Sequence, residues 1–383
     1  HPSMAESARM AGATPWQAFR TVTLPLLSPA IAAAGLLVFI FCFSSFGVVL
    51  LLGGYRYSTL EVEIFRQAAH VFNLPLAAAL SVIQLLVTWA AMRMQSRFQA
   101  RCARPLSPAA HVAPLGMAAR VTRHAARAYL AAVCLCLVAP LLSLGIESLR
   151  PDQAWSFSAY TGLFENPRGS IMHVPPMAAM GNSLLYALAS TCMAVPLGLC
   201  AAVFVHTRST LARTLDPLLM LPMTTSAVTL GFGFIIALDL PPFHLRSSWI
   251  LVPIAHTLVA FPFVLRTVLP ALSAVPAGLR EAAATLGARP WRVWTSIDLP
   301  LLSRATLLGA LYAFVISLGE FGATIFIARP HTPTMPMAIY RHLSLPGGQN
   351  HAQAMAAATL LMVLCAACFL VLERCKRRMW GNF

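Results

Sequence analysis

The sequence predicts an all-α integral membrane protein, a polytopic bundle of about eight membrane-spanning helices built from parallel repeats. Of its 383 residues, 58% are hydrophobic and only 10% are charged, whereas roughly a quarter of a soluble chain is charged. The apolar residues lie in blocks of about 20, the length that crosses the hydrocarbon core of a bilayer. One stretch of the chain also recurs later in an unbroken register. These three observations exclude a soluble globular protein.

Eight apolar blocks are each long enough to form one spanning helix. Prolines inside them, such as Pro196 and Pro262, are tolerated where neighbouring helices satisfy the freed carbonyls, so we expect kinks at these positions. The blocks lie near residues 30–52, 74–92, 128–146, 180–205, 215–238, 248–270, 304–327 and 352–372.

The formal net charge of +15 follows from membrane topology, because the Arg residues lie mainly between the apolar blocks. Residues 93–127 contain seven Arg and no acidic residue. Since Lys and Arg are retained on the cytoplasmic side, this segment is predicted to be cytoplasmic, together with residues 1–29 and 373–383. The pattern predicts a multi-pass protein of the inner (cytoplasmic) membrane and gives no sign of a nucleic-acid partner.

The cysteines are predicted to be small buried apolar residues. Cys365 and Cys368 have the spacing of a metal-binding pair, but their segment is apolar and offers no second pair of ligands. Cys42, Cys134 and Cys192 also lie inside apolar blocks. We therefore expect neither a metal site nor a cofactor in this chain.

An internal repeat with an offset of 275 residues divides the chain. We predict that residues 1–92 are the C-terminal part of a first repeat with two spans, and that residues 93–127 are a basic linker. Residues 128–383 are then a complete second repeat of six spans. A complete two-repeat protein would have twelve spans, so we expect four more upstream. The matching positions include Glu6, Ala8, Gly12, Pro15, Trp16 and Leu24-Pro25, which recur as Glu281, Ala283, Gly287, Pro290, Trp291 and Leu299-Pro300.

The cytoplasmic segment 271–303 carries the motif with the clearest functional meaning. It contains Glu281-Ala282-Ala283, then Gly287, then Leu299-Pro300. Gly287 is suited to end a short helix, since glycine readily takes the left-handed conformation there. Pro300 is acceptable in the first turn of the next helix. This order resembles the signature loop of type I, binding-protein-dependent ABC importer permeases. The first repeat has the same pattern, with Ser7 as a small departure, in Glu6, Ala8, Gly12, Leu24 and Pro25.

The resemblance implies the permease subunit of an ATP-driven importer that works by alternating access. Its partners would be two cytoplasmic ABC ATPase subunits, on which the two loops dock, and an extracytoplasmic solute-binding protein. The sequence has no phosphate-binding glycine loop, so ATP is expected on the partner and the chain is not expected to be an enzyme. Two such loops in one chain are similar to the fused ferric-iron and thiamine permeases, which suggests solutes of that class.

Other interpretations stay open. The paired loops could be interfacial helices that lie on the bilayer. The protein could instead be a secondary transporter or channel that is not coupled to an ATPase, or a membrane scaffold. The duplicated loops favour the importer over all three, because none of these alternatives requires the same Glu, Gly and Leu-Pro pattern twice.

Glu320 is a further candidate, because an ionisable residue inside an apolar helix is costly and often faces an aqueous path. Its repeat partner is Ser45. We consider a role of Glu320 in the translocation pathway alongside a structural one, a hydrogen bond or a place at a helix end. For His256 and Arg266, in another span, a satisfied core contact or snorkelling is favoured over ligand binding.

Overall fold

The computed structural model describes residues 7–53, 56–102, 118–151, 154–165, 174–207, 209–238 and 248–380. Within these ranges the chain forms helices joined by turns and contains no strand. The all-α prediction is therefore confirmed.

The helices are α1 (Pro15–Ala18), α2 (Leu24–Phe43), α3 (Gly47–Leu52), α4 (Leu60–Ala69), α5 (Leu74–Cys102), α6 (Ala118–Ser148), α7 (Ser158–Thr161), α8 (Pro176–His206), α9 (Thr210–Leu219), α10 (Leu221–Thr224), α11 (Ala227–Leu238), α12 (Leu251–Ala274), α13 (Ala277–Thr285), α14 (Pro290–Val293), α15 (Leu299–Gly319), α16 (Thr324–Ile327), α17 (Met335–Ser344) and α18 (Gly348–Trp380). Two wider π-helical turns, Phe19–Thr23 and Trp294–Asp298, join α1 to α2 and α14 to α15.

Seven helices in the described ranges are long and apolar enough to cross a membrane. The predicted span at 215–238 is not one straight helix: it is a pair, Thr210–Met223 and Ala227–Leu238, bent by 101°. Counting that pair as one broken span gives the eight that the sequence predicts.

The boundaries of two predicted spans are wrong. The block 30–52 belongs to a helix that starts at Pro15 and ends at Phe43, and the block 304–327 belongs to one that runs from Pro290 to Gly319. Apolar residues continue past both ends, but the backbone breaks there and restarts as α3 and α16. Hydrophobicity alone could not reveal these breaks.

The repeat predicted from the sequence recurs in the element boundaries. Helices α1 and α14, the two π turns, and helices α4 and α17 begin and end 275 residues apart. Thr59 and Thr334, the residues before α4 and α17, are also repeat partners with nearly the same extended backbone. Corresponding parts of the two copies therefore adopt the same local structure.

The chain forms two compact units whose limits differ from the repeat boundaries. The first unit contains the residues up to Ser45 and Ala78–Leu142, and the second contains Phe46–Ala77 and Ser143–Phe383. Helices α3 and α4, which the sequence places in the first repeat, thus belong to the second unit. The division at residues 92 and 127 stays a prediction.

The core of the second unit is formed by α8, α12 and α15. Helix α12 is central, because Val264, Leu265 and Val268 are fully buried on it. Gly198 of α8 and Gly309 of α15 both lie against Val264: a Cβ atom at Gly198 would come within 2.5 Å of the Val264 Cβ. Small residues let these helices approach closely, which is the main source of packing energy between helices in a membrane.

Five described cysteines are exposed rather than buried, contrary to the prediction. A spanning helix packs one face against its neighbours and turns apolar side chains on the other face outwards, where lipid would contact them. Apolar character therefore does not predict burial in this chain. The exposed cysteines are Cys42, Cys134, Cys136, Cys192 and Cys200.

Candidate functional site

The loop of the second repeat forms a short helix with a defined end. Glu281, Ala282 and Ala283 lie in α13, and Gly287 follows with φ +80°. The Gly287 N–H donates to the Ala284 carbonyl at 3.0 Å, and the Ala288 N–H donates to the Ala283 carbonyl at 3.0 Å. These two bonds and the left-handed glycine make a Schellman motif. Gly287 therefore ends the helix as the sequence predicts.

The loop of the first repeat ends in the same way. Gly12 has φ +86°, its N–H donates to the Arg9 carbonyl at 2.9 Å, and the Ala13 N–H donates to the Ala8 carbonyl at 3.0 Å. Residues 7–10, which include Ala8, are helical. Glu6 lies outside the described residues. The same chain reversal is thus built in both copies.

Each loop continues into its spanning helix without a break, which differs from the expected fresh start at Leu-Pro. The π turn Trp294–Asp298 leads directly into α15, and the Leu299 N–H donates to the carbonyl of Trp294, five residues back. Pro300 has no N–H and its ring crowds the carbonyl four residues earlier. A π turn just before it rearranges those bonds. Leu24 and Pro25 follow the first π turn, and the Leu24 N–H bonds to Phe19 in the same way.

The second loop exposes a surface of large apolar and charged side chains. Leu286 is 88% exposed, Trp291 is 74% exposed, and Leu279 and Glu281 are also exposed. Exposed large apolar side chains near one another are typical of a surface that another protein covers. In the first loop Met10 and Trp16 are similarly exposed.

An ion pair that the sequence analysis missed fixes the second loop. The Arg280 Nε atom lies 2.9 Å from the Asp298 Oδ1 atom, and Asp298 is almost completely buried. The bond links α13 to the π turn across the loop. Thr23 is the repeat partner of Asp298, so the first loop cannot form this pair. In the sequence, the only sign of this ion pair is an Arg that lies 18 positions before an Asp. That spacing is not typical of contacts within one helix or turn.

Glu320 lies at a helix end, at the break between α15 and α16. Its Oε1 atom accepts a hydrogen bond of 3.0 Å from the Ala323 N–H, so the side chain caps the start of the next turn. Gly231 of α11 makes room for this break, since a Cβ atom there would lie 2.8 Å from the Ala323 Cα. Ser45 occupies the equivalent break after α2. A role for either residue in the solute path stays a prediction.

A buried polar network stabilises the break between α15 and α16. His256, only 1% exposed, lies between two hydroxyls: Nδ1 is 2.7 Å from the Ser317 Oγ and Nε2 is 2.8 Å from the Thr324 Oγ1. Ser190 of α8 donates to Ser317 at 2.9 Å. Thr324 donates to the Glu320 carbonyl, so it accepts from His256 Nε2–H, and Nδ1 accepts from Ser317. The network joins α8, α12, α15 and α16.

His256 is therefore the satisfied core residue that the sequence analysis favoured, and not a free ligand. Arg266 also has partners, since its Nε donates to the Met220 sulfur at 3.1 Å and its Nη2 lies 3.9 Å from Asp216. Sequence patterns could not identify the hydroxyls of Ser190, Ser317 and Thr324 as members of this network, because they come from separate helices.

Comparison with known families gives a match over most of the chain. Residues 1–104 and 194–380 match the family described as binding-protein-dependent transport system inner membrane component. Each matched segment contains one of the two loops. The chain also resembles a solved structure titled as a bacterial ABC transporter involved in the import of the acidic polysaccharide alginate, with a TM-score of 0.52, 19% identity, and coverage of 68% of this chain and 99% of that one.

Several curated relatives are permeases. The molybdenum transport system permease protein ModB of Escherichia coli K12 is 35% identical over 152 residues, which are 36% of this chain and 66% of that protein. ModB of Haemophilus influenzae is 31% identical over 45% of this chain and 82% of that protein. A putative 2-aminoethylphosphonate transport system permease protein, PhnV, of Salmonella paratyphi A is 26% identical over 63% of this chain and 89% of that protein.

The chain spans just under two thirds of the length of the first of these relatives. None of the three is named for iron or thiamine. The family match covers more than half of the chain and includes both loops. This protein therefore belongs to the binding-protein-dependent transport system inner membrane component family.

Proposed function

We propose that this chain is the permease subunit of an ABC importer, which passes a small solute from an extracytoplasmic binding protein to the cytoplasm by alternating access. One observation carries the proposal: two loops, 275 residues apart, have the same Schellman motif, the same π turn and the same exposed Trp. An importer with two ATPase subunits needs two such docking elements. An interfacial helix or a secondary transporter does not.

The loop geometry supports the docking role. Helix α13 is short and ends in a fixed reversal, so it presents Glu281 and Leu286 on a compact surface. The Arg280–Asp298 pair ties this helix to the base of α15. A force on the loop would therefore reach the spanning helix instead of being lost in a flexible connection. ATP would be bound and hydrolysed by the partner.

For the solute we infer a small tetrahedral oxyanion, in place of the ferric-iron or thiamine class. The relatives named above are permeases of molybdenum and 2-aminoethylphosphonate transport systems. Molybdenum in neutral oxygenated water is the tetrahedral anion molybdate, and a phosphonate group is also a tetrahedral array of oxygens. Molybdate is thus the first solute to test, with 2-aminoethylphosphonate second.

The docking proposal is tested with charge reversals in the loops. Glu281→Arg combined with Glu6→Arg should abolish co-purification with the cognate ATPase and ATP-dependent uptake into proteoliposomes, with membrane insertion intact. Glu165→Arg is the matched control, since Glu165 is exposed and lies in a loop predicted to face the opposite side. If assembly and uptake survive the double change, the loops do not couple to an ATPase, and a secondary transporter or channel becomes the better account.

The solute proposal has its own test. Proteoliposomes containing the permease, the ATPase and the binding protein should accumulate labelled molybdate, and excess 2-aminoethylphosphonate, ferric iron or thiamine serves as competitor. Competition by ferric iron or thiamine, without competition by the oxyanion, would contradict the oxyanion proposal and leave the importer proposal standing.

A further inference from the structure

Two phenylalanines that are repeat partners stack directly on each other. Phe46 and Phe321 occupy equivalent positions 275 residues apart. Their ring centroids are 5.6 Å apart and the ring planes differ by 27°. Both belong to the second compact unit. In a two-fold arrangement, a residue contacts its own counterpart only where the axis passes between them. The stack therefore marks the local two-fold axis between segments 46–69 and 321–344.

The neighbours of the stack obey the same symmetry. Phe65 and Tyr340 are also repeat partners, and each packs against the stacked ring of its own copy. The centroid distances are 5.4 Å from Phe65 to Phe46 and 5.5 Å from Tyr340 to Phe321. Four aromatic rings thus form a symmetric group, here called the aromatic quartet. A chance contact between two apolar rings would not recur in this paired form.

The quartet lies where both spanning helices break. Phe46 immediately precedes α3 in the short gap after α2, and Phe321 lies between α15 and α16. Broken helices in transporters are characteristic of the repeat interface, where the solute path runs. The two stacked rings are therefore on the axis and at the level where non-helical backbone is expected to line a path.

The two stacked rings are closely packed. A Cβ atom at Gly47 would lie 3.4 Å from the Phe321 ring, and one at Gly322 would lie 3.1 Å from Ala227. Phe46 itself is 6% exposed. A tight apolar constriction excludes water and ions by dewetting.

A cavity of mixed polar and apolar lining begins beside the quartet. It has a volume of about 480 Å³. Its polar lining residues are Ser58, Glu63, Arg66 and His70, and the other lining residues are Leu50, Val62, Phe65, Val71 and Tyr340. These polar residues lie in or next to α4, in a loop predicted to be extracytoplasmic. Two of the four rings, Phe65 and Tyr340, thus line a cavity on the predicted outward side.

We propose that the Phe46–Phe321 stack is the outer gate of the solute path, supported by Phe65 and Tyr340, and that it is closed in this structure. This inference rests on the proposed transport function. Because the gate is made of one residue from each repeat, separation of the two repeats opens it without any side-chain rearrangement.

The first test measures leakage. The assay uses proteoliposomes that contain the permease without its ATPase. Phe46→Ala with Phe321→Ala should raise the ATP-independent influx of labelled molybdate about tenfold or more above wild type, because the closed state loses its apolar contact. Phe232→Ala is the matched control, because Phe232 is as buried as Phe46, at 4% exposed, and packs against Phe326 and not against the stacked rings. An unchanged influx in the double variant, or an equal rise with Phe232→Ala, would overturn the proposal.

A second variant covers the case in which the alanine double variant does not fold. In a chain whose natural cysteines are replaced, Phe46→Cys with Phe321→Cys should be cross-linked by a short bis-methanethiosulfonate reagent. Cross-linking should abolish uptake, and reduction should restore it. Failure to cross-link, or full uptake in the cross-linked protein, would show that the gate lies elsewhere.

Failure of the gate and failure of the transport function give different results. If the wild-type complex accumulates neither molybdate nor 2-aminoethylphosphonate with ATP, the proposed oxyanion transport fails, whatever the ring variants do in the leak assay. The other outcome is that the wild-type complex accumulates molybdate, the alanine variant shows no extra influx, and cross-linking of the cysteine variant does not block uptake. In that case the proposed function stands and the gate proposal fails.

Discussion

The Nε2 atom of His256, in the second turn of α12, lies 2.8 Å from the Oγ1 atom of Thr324, which follows the break after α15. The other ring nitrogen bonds Ser317, which precedes the break. One imidazole therefore holds both sides of the break together. Because buried polar groups are costly when unpaired, the ring and the two hydroxyls stabilise this position only as a complete set.

Replacing His256 should destabilise the protein. His256→Leu removes the acceptor of the Ser317 hydroxyl and the donor to the Thr324 oxygen. Each hydroxyl keeps one other bond, with Ser190 or with the Glu320 carbonyl, so we expect a total cost of about 1–3 kcal/mol. We expect a clear drop in the Tm of the purified protein in detergent. Ser190→Ala, which removes an outer member of the network, should cost less. A Tm for His256→Leu equal to wild type would show that the network contributes no stability.

The close helix packing around Val264 predicts that alanine substitution of two glycines in α8 will change stability by very different amounts. Gly198→Ala places a methyl group 2.5 Å from the Val264 Cβ, and overpacking of this kind typically costs about 1–3 kcal/mol. Gly181→Ala, in the same helix, meets no atom within 4 Å. The expected order of thermal stability in detergent is therefore Gly181→Ala near wild type and Gly198→Ala below it. Equal stabilities would contradict the close packing.

Gly287, the residue of the second loop with a left-handed backbone conformation, is expected to control coupling to the ATPase. Gly287→Ala forces a side chain into φ +80°, at a cost of about 1–2 kcal/mol. The site has open space around it, so the effect comes from the backbone and not from a clash. We expect reduced binding of the ATPase with unchanged membrane insertion.

Gly278→Ala is the control for this change, since Gly278 lies within α13, the helix that Gly287 ends, has no positive φ and also meets no neighbouring atom. Binding of the ATPase should be unaffected by it. If both alanine variants bind equally well, the Schellman reversal is not required for docking.

Acid should loosen helix α4. The Arg66 Nη2 atom donates to the Glu63 Oε1 at 2.7 Å, and this bond, with that of Gln67, lowers the pKa of the Glu63 carboxyl below its usual value. A lowered folded-state pKa stabilises the fold above the unfolded pKa, and this stability is lost as the pH falls below about 4.5 through the folded value. Both side chains are partly exposed, so the effect should be under about 1 kcal/mol.

The measurement is hydrogen exchange of α4, corrected for intrinsic rates, between neutral pH and pH 3.5. Protection should fall with acid in wild type and stay level in Glu63→Gln, which cannot be protonated. Glu165→Gln, in another loop, should behave as wild type. An identical acid response of wild type and Glu63→Gln would rule out the contribution of this pair.

Much of this fold follows from local sequence patterns. The apolar blocks identify the spans, and Gly12 and Gly287 end their helices as expected, because a left-handed terminus depends on a single residue. The helix breaks after Phe43 and Gly319 were missed, since apolar residues continue through them. The contacts of His256, and the Arg280–Asp298 pair, depend on which helices are neighbours in space. No pattern in one stretch of sequence contains that information.

The continuity of Pro290–Gly319 has a mechanical consequence. At 1.5 Å per residue, this single helix is about 45 Å long. Its N-terminal end carries the exposed Trp291, and its C-terminal end stops next to Phe321. A rigid rod of this length converts a small tilt at its base into a displacement of several ångströms at its tip. In the proposed importer, the helix that begins in the second docking loop is thus the same helix that positions Phe321 of the proposed gate.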